Sequence, residues 1–142
     1  MSQNNNSKKL FLSTDGGARG NPGPAALGFV ITDESGSVLV ERGRYLGETT
    51  NNVAEYSALI DGLATALELG ATDMVIKMDS ELIVKQMSGE YKIKQPHLQE
   101  LAKEVRVLLS QFTTYKFEHV LREFNKAADA QVNIAIDEAL GK

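Results

Sequence analysis

Val53 to Asp79 reads VAEYSALIDGLATALELGATDMVIKMD, and this stretch decides the fold. Apolar residues recur at Val53, Tyr56, Leu59, Ile60, Leu63 and Leu67, the period of a helix with one face on a core. Gly70 ends that helix, and Asp73 to Asp79 then forms a short apolar strand. A helix that leads directly into a strand is the second half of a crossover, the connection that parallel strands need.

The chain before this stretch has no helical period. Lys8 to Asp15 (KKLFLSTD) reads as a strand, with Leu10 and Leu12 on one face and Phe11 on the other. Gly16 to Pro24 (GGARGNPGP) reads as a loop from its glycines and prolines. Ala25 to Thr32 and Val38 to Leu46 read as two strands of a hairpin around the turn Asp33 to Gly36. After the stretch, Ser80 to Met87 predicts a short helix stopped by Gly89. Pro96 opens a longer one, with Leu98, Leu101, Val105, Leu108 and Phe112 as its apolar stripe. Thr113 to Val120 predicts a strand, and Ala127 to Leu140 a final helix.

The order β-β-β-α-β-α-α-β-α predicts an α/β fold. Its five-stranded mixed sheet has three antiparallel strands followed by two parallel crossovers, with helices on both faces. Strand four is expected beside strand one and parallel to it, on the side the hairpin leaves free. Residues 1–7 read as a disordered polar tail and 8–142 as a single domain.

A length of 142 residues suffices for one domain with a substantial core. The chain is 42% hydrophobic and 24% charged, ordinary for a globular protein. No run approaches the roughly 18 apolar residues of a membrane span, and the polar start has no apolar signal core. No membrane partner and a cytoplasmic location are expected. The absence of cysteine excludes disulfides, thiolate metal sites and a cysteine nucleophile. A net charge of −4 argues against indiscriminate nucleic-acid binding.

Asp15 closes strand one and Asp79 closes strand four. If these strands are neighbours, their backbones run about 4.8 Å apart and the two carboxylates meet at one sheet end. Alone they repel, and one tends to keep a proton; a divalent cation removes the conflict. Oxygen ligands without cysteine or clustered histidine favour Mg²⁺ or Mn²⁺ over Zn²⁺. Each acid also has an ordinary structural explanation. Asp79 precedes a helix and could cap it. Asp15 beside Gly16-Gly17 could be a turn aspartate. Glu55 follows Asn52 at capping-box spacing. Asp129 falls in the first turn of the last helix, where an acid suits the dipole. The conjunction of the four around one sheet edge is what a two-metal phosphodiester site requires. No Walker or dinucleotide glycine motif and no G-x-S-x-G occurs.

Four segments resemble the motifs of type 1 ribonuclease H in its compact prokaryotic form. They are Thr14 to Pro24 (TDGGARGNPGP), Thr50 to Tyr56 (TNNVAEY), Met78-Asp79-Ser80, and Arg122 to Asp129 (REFNKAAD), continued by Asn133. They occur in the family's order and span nearly the whole chain. The resemblance implies a ribonuclease H-like fold and endonucleolytic hydrolysis of the RNA strand of RNA–DNA hybrids, leaving 5′-phosphate and 3′-hydroxyl ends. It implies that Asp15, Glu55, Asp79 and Asp129 hold two Mg²⁺ ions, with Mn²⁺ as a substitute. Arg122 resembles an arginine that assists turnover, with pairing to an acid as its alternative. The backbone from Gly16 and Gly17 through Arg19 to Asn21, the Asn21 side chain and Glu55 are implied to read ribose hydroxyls of the hybrid, which only RNA carries. Asn51 and Asn52 are implied to contact the nucleic acid, and Thr50 to seat a DNA phosphate. Lys92 and Lys94, in the basic stretch Lys85 to His97, either contact the DNA strand or form a solvated surface.

Some relatives carry a longer, Trp-containing basic insertion at that stretch, whereas this chain has no Trp. Removing the four acids from 19 leaves 15 against 15 basic residues, so the rest of the protein is neutral. A monomer is expected. Two other functions fit the same fold: a catalytically weak hybrid-binding module, and a nuclease or nucleotidyl transferase acting on DNA. The intact acids disfavour the first, and the Gly-Asn-Pro-Gly and Thr-Asn-Asn segments disfavour the second.

Overall fold

The computed structural model describes residues 7–142. All but Ser7 of the expected polar tail lies outside the described residues. The strands are β1 (Lys9–Ala18), β2 (Gly23–Thr32), β3 (Val38–Thr49), β4 (Asp73–Met78) and β5 (Thr114–His119). The helices are α1 (Asn51–Glu68), α2 (Glu81–Met87), α3 (Pro96–Leu109) and α4 (Lys126–Ala139), with a 3₁₀ turn at Arg122–Phe124 before the last. The strand order is β3-β2-β1-β4-β5. β1 to β3 pair antiparallel, and β4 runs parallel to both β1 and β5. The mixed sheet expected from the element order is present, with β4 on the free side of β1.

The main correction concerns Gly16 to Pro24. β1 continues through Ala18, because Gly16, Gly17 and Ala18 pair with Leu27, Ala26 and Ala25 of β2. Sheet pairing here overrides the local preference of glycine for turns. Gly16 and Gly17 are therefore strand residues, and only residues 19–22 connect the two strands.

The main core lies between the sheet and α1 with α3. Leu10 and Leu12 of β1, Leu27, Phe29 and Ile31 of β2, and Met74 and Ile76 of β4 meet Leu59 and Leu63 of α1 and Val105 of α3. Each such buried side chain contributes about 1.5–3 kcal/mol of transfer free energy. The alternate face of β2 presents Ala26 to Val132, Ala135 and Ile136 of α4. Small residues set how near this helix comes. A Cβ on Gly28 or Gly43 would collide with the α4 backbone at Ala128 or Gln131. A Cβ on Gly16 would likewise collide with the α1 backbone at Ala54 and Glu55. Both helices thus press on the sheet beside the C-terminal end of β1.

Candidate active site

Asp15 sits within β1, opposite Gly28. β4 pairs with β1 up to Thr14 and Met78, so Asp79, the next residue, comes level with Asp15. Gly16 lets α1 approach at Glu55. Carboxylate oxygens of Asp15, Glu55 and Asp79 consequently lie within 4.8 Å of one another. Asp129, in the first turn of α4, lines the same cavity and is near enough to raise the Asp15 carboxyl, but it is not one of that close set of three.

Three of the four ordinary explanations do not hold. Ser80, not Asp79, caps α2, its hydroxyl accepting from Ile83 N at 3.3 Å. Thr50 caps α1, accepting from Val53 N at 3.2 Å, so Asn52 and Glu55 form no capping box. Asp15 lies in a paired strand rather than a turn. Asp129 keeps its favourable place near the dipole of α4.

Burial first, and then the neighbouring Asp79, Asp129 and Glu55, push the Asp15 carboxyl up to about 8. Burial and Asp79 push Glu55 up to about 7, against the lowering influence of Ser80 and Arg122. Acids that resist ionisation are held together here by the fold. A hard divalent cation fits this donor set: it satisfies crowded carboxylate oxygens, and no histidine or cysteine joins them.

A family model described as "Reverse transcriptase-like" matches residues 13–135. The "Ribonuclease HI" of Halobacterium salinarum is 42% identical over 125 residues, covering 88% of this chain and 63% of the relative. The chain belongs to the ribonuclease H family. The "Bifunctional protein Rv2228c" of Mycobacterium tuberculosis is 47% identical over 132 residues, 92% of this chain. This chain spans only 36% of that relative's length. The solved ribonuclease H domain of Rv2228c superposes with a TM-score of 0.91 at 46% identity, covering 95% of this chain and 98% of that one. LC11-RNase H1, solved with an RNA/DNA hybrid, gives a TM-score of 0.88 at 48% identity, covering 92% and 99%.

The ribonuclease H motifs converge on one polar cavity of about 390 Å³. Asp15, Gly16, Gly17, Arg19, Asn51, Asn52, Glu55, Asp79, Arg122 and Asp129 all line it. Arg122 makes no ion pair among the described residues. Asn21 and Thr50 flank the cavity instead. Asn21 Oδ1 accepts from Asn51 N at 3.0 Å, and Asn51 Oδ1 accepts from Ala18 N at 2.7 Å. These bonds fasten the β1–β2 connection to the start of α1. Lys92 and Lys94 lie apart from the carboxylates, between α2 and α3. Lys92 borders a separate depression with Gln86, Tyr91 and Arg106.

Two further residues matter at the site. Asn125, buried before α4, donates from Nδ2 to Thr14 O at 2.8 Å and to Asp79 Oδ2 at 3.4 Å. Asn133 donates to the carbonyl and carboxylate of Asp129. In the sequence both stand inside or just after the fourth motif, but nothing in their spacing distinguishes them from surface amides.

Proposed function

We propose that this chain is an endonuclease that hydrolyses the RNA strand of an RNA–DNA hybrid and leaves 5′-phosphate and 3′-hydroxyl ends. The observation that carries this reading is the set of Asp15, Glu55 and Asp79 oxygens, within 4.8 Å of one another on a polar cavity. Asp15, Glu55, Asp79 and Asp129 hold two Mg²⁺ ions, with Mn²⁺ able to replace them. Bound at such a site, divalent cations lower the pKa of water and neutralise charge on a phosphodiester.

The chain's own groups supply the rest. Asp15 and Glu55 would hold such cations from β1 and α1. Arg122, unpaired among the described residues, brings a positive charge to the cavity rim, where a phosphate with its developing charge is stabilised. Gly16 and Gly17 present bare backbone to the minor groove of the hybrid. With Asn21, Asn51 and Asn52 they meet 2′-hydroxyls, which both donate and accept hydrogen bonds. Thr50, Lys92 and Lys94 face the DNA strand. The likeness to LC11-RNase H1, solved with an RNA/DNA hybrid, supports this choice of substrate. Residues 8–142 act as one catalytic domain, monomeric and cytoplasmic. Among the described residues no helix is long and apolar enough to cross a membrane.

A substrate panel tests the reading. RNA–DNA hybrid, duplex RNA and duplex DNA of one sequence are incubated with the protein and Mg²⁺. Cleavage confined to the RNA of the hybrid is expected. Binding of the hybrid without cleavage would move the assignment to a binding module, and cleavage of duplex DNA to a DNA nuclease.

A further inference from the structure

Arg19 stands between β1 and β2 at the rim of the cavity, where a cation is expected to meet nucleic acid. Its guanidinium is committed elsewhere. Nη1 donates to Asp137 Oδ1 at 2.7 Å and Nη2 to Asn133 Oδ1 at 3.2 Å, both on α4. A guanidinium only donates, so it fixes which end of the Asn133 amide faces it. The amide nitrogen is thereby turned to Asp129. Asn133 Nδ2 lies 3.2 Å from Asp129 O and 3.4 Å from Asp129 Oδ2.

Asp129 depends on this contact more than the other acids do. Asp15 is fixed within a paired strand, Asp79 directly follows the last residue of another, and Glu55 rides on a helix seated against Gly16. Asp129 lies outside the close set of three. Asn133 is the only side-chain donor to its carboxylate among the described residues.

We propose that Arg19 and Asn133 are positioning residues. Arg19 orients the Asn133 amide, and Asn133 holds the Asp129 carboxylate toward Asp15, so Arg19 acts on the cation site and not on the nucleic acid. The proposal rests on the metal-dependent nuclease reading above. The Arg19–Asp137 pair is part-exposed on both sides, and such pairs contribute little to stability, so Arg19→Met is expected to fold.

The test compares wild type, Arg19→Met, Asn133→Ala and the double variant. Mn²⁺ binding is followed by the electron paramagnetic resonance of the free ion, without substrate. Hybrid cleavage is measured at steady state, and circular dichroism checks the fold. Each single variant is expected to weaken Mn²⁺ binding about tenfold and lower kcat about tenfold, with KM within about twofold. The double variant is expected to be no worse than Asn133→Ala alone, because Arg19 acts through Asn133. Arg19→Met with unchanged Mn²⁺ affinity and kcat but a raised KM would make Arg19 a nucleic-acid contact and overturn the proposal. Losses that add in the double variant would overturn it as well. If wild type binds Mn²⁺ yet leaves the hybrid intact, the nuclease reading fails, and the Mn²⁺ affinities of the variants still decide the positioning roles.

Discussion

Asn125 donates its side-chain amide to the carbonyl of Thr14 at 2.8 Å, joining the start of α4 to the strand that carries Asp15. The same nitrogen reaches Asp79 Oδ2 at 3.4 Å, while the main-chain carbonyl of Asn125 accepts from Asp129 N at 3.2 Å as a bond of the first helical turn. One buried side-chain amide thus touches the supports of two of the four acids, Asp15 and Asp79. Asn125→Ala is expected to cost about 1–3 kcal/mol by stranding the buried Thr14 carbonyl. It is also expected to lower kcat about tenfold or more by loosening Asp79 and the strand that carries Asp15. Urea unfolding and steady-state cleavage check both; wild-type values for the variant would leave Asn125 without a role.

Gly28 faces Asp15 across the β1–β2 ladder, and a Cβ there meets the α4 backbone at Ala128 O and Val132 N. Backbone cannot yield as a flexible side chain does. Gly28→Ala is expected to cost about 2 kcal/mol and to displace α4 together with Asp129. The measurement is the urea midpoint alongside Mn²⁺ affinity. A variant that keeps both would show that α4 is free to move away from the sheet.

Asp15→Asn removes a charge from the crowded site. In metal-free buffer at pH 8 the variant is expected to melt higher than wild type, by about 3–5 °C for every ~1 kcal/mol of repulsion and desolvation removed. Calorimetry with a chelator reads this directly. A lower melting temperature would mean that the Asp15 carboxylate does structural work in the strand.

The pH dependence has a definite sign. Asp15 and Glu55 rise in the folded state from 3.8 and 4.5 to about 8 and about 7. Between the unfolded and folded values the native state binds more protons than the unfolded chain. Their contribution to metal-free stability is therefore full below about 4 and lost as the pH climbs through about 7 to 8. Melting temperatures in chelator are expected to fall from pH 5 to pH 8, and millimolar Mg²⁺ to flatten the slope. A metal-free melting temperature that rises over this range would contradict the crowding of the carboxylates.

Much of this was legible in the sequence because the period changes at Val53 and Asp73 are strong. They fix a helix and then a strand, and the crossover brings Asp79 to Asp15. The end of β1 was not legible. Gly16 and Gly17 carry turn chemistry locally, and only their pairing with Leu27 and Ala26 keeps them in the strand. The 3₁₀ turn at Arg122–Phe124 is too short to leave a period. The capping roles of Thr50 and Ser80 were hidden for a related reason. Asn52 with Glu55, and Asp79 before α2, offer equally good capping patterns, and the choice depends on where each helix begins in three dimensions. Asn125 and Asn133 stand in or just after the fourth motif, but their roles were hidden because an amide's part in a site depends on its partners, which lie far along the chain or across a turn.

The most direct test of the central claim is cleavage of an end-labelled RNA–DNA hybrid with Mg²⁺ by wild type and by Asp79→Asn. Wild type is expected to cut the RNA strand, and Asp79→Asn to retain the native circular dichroism spectrum while cutting nothing. An Asp79→Asn protein that folds and cleaves as wild type does would contradict the assignment of the carboxylate site as the catalytic centre.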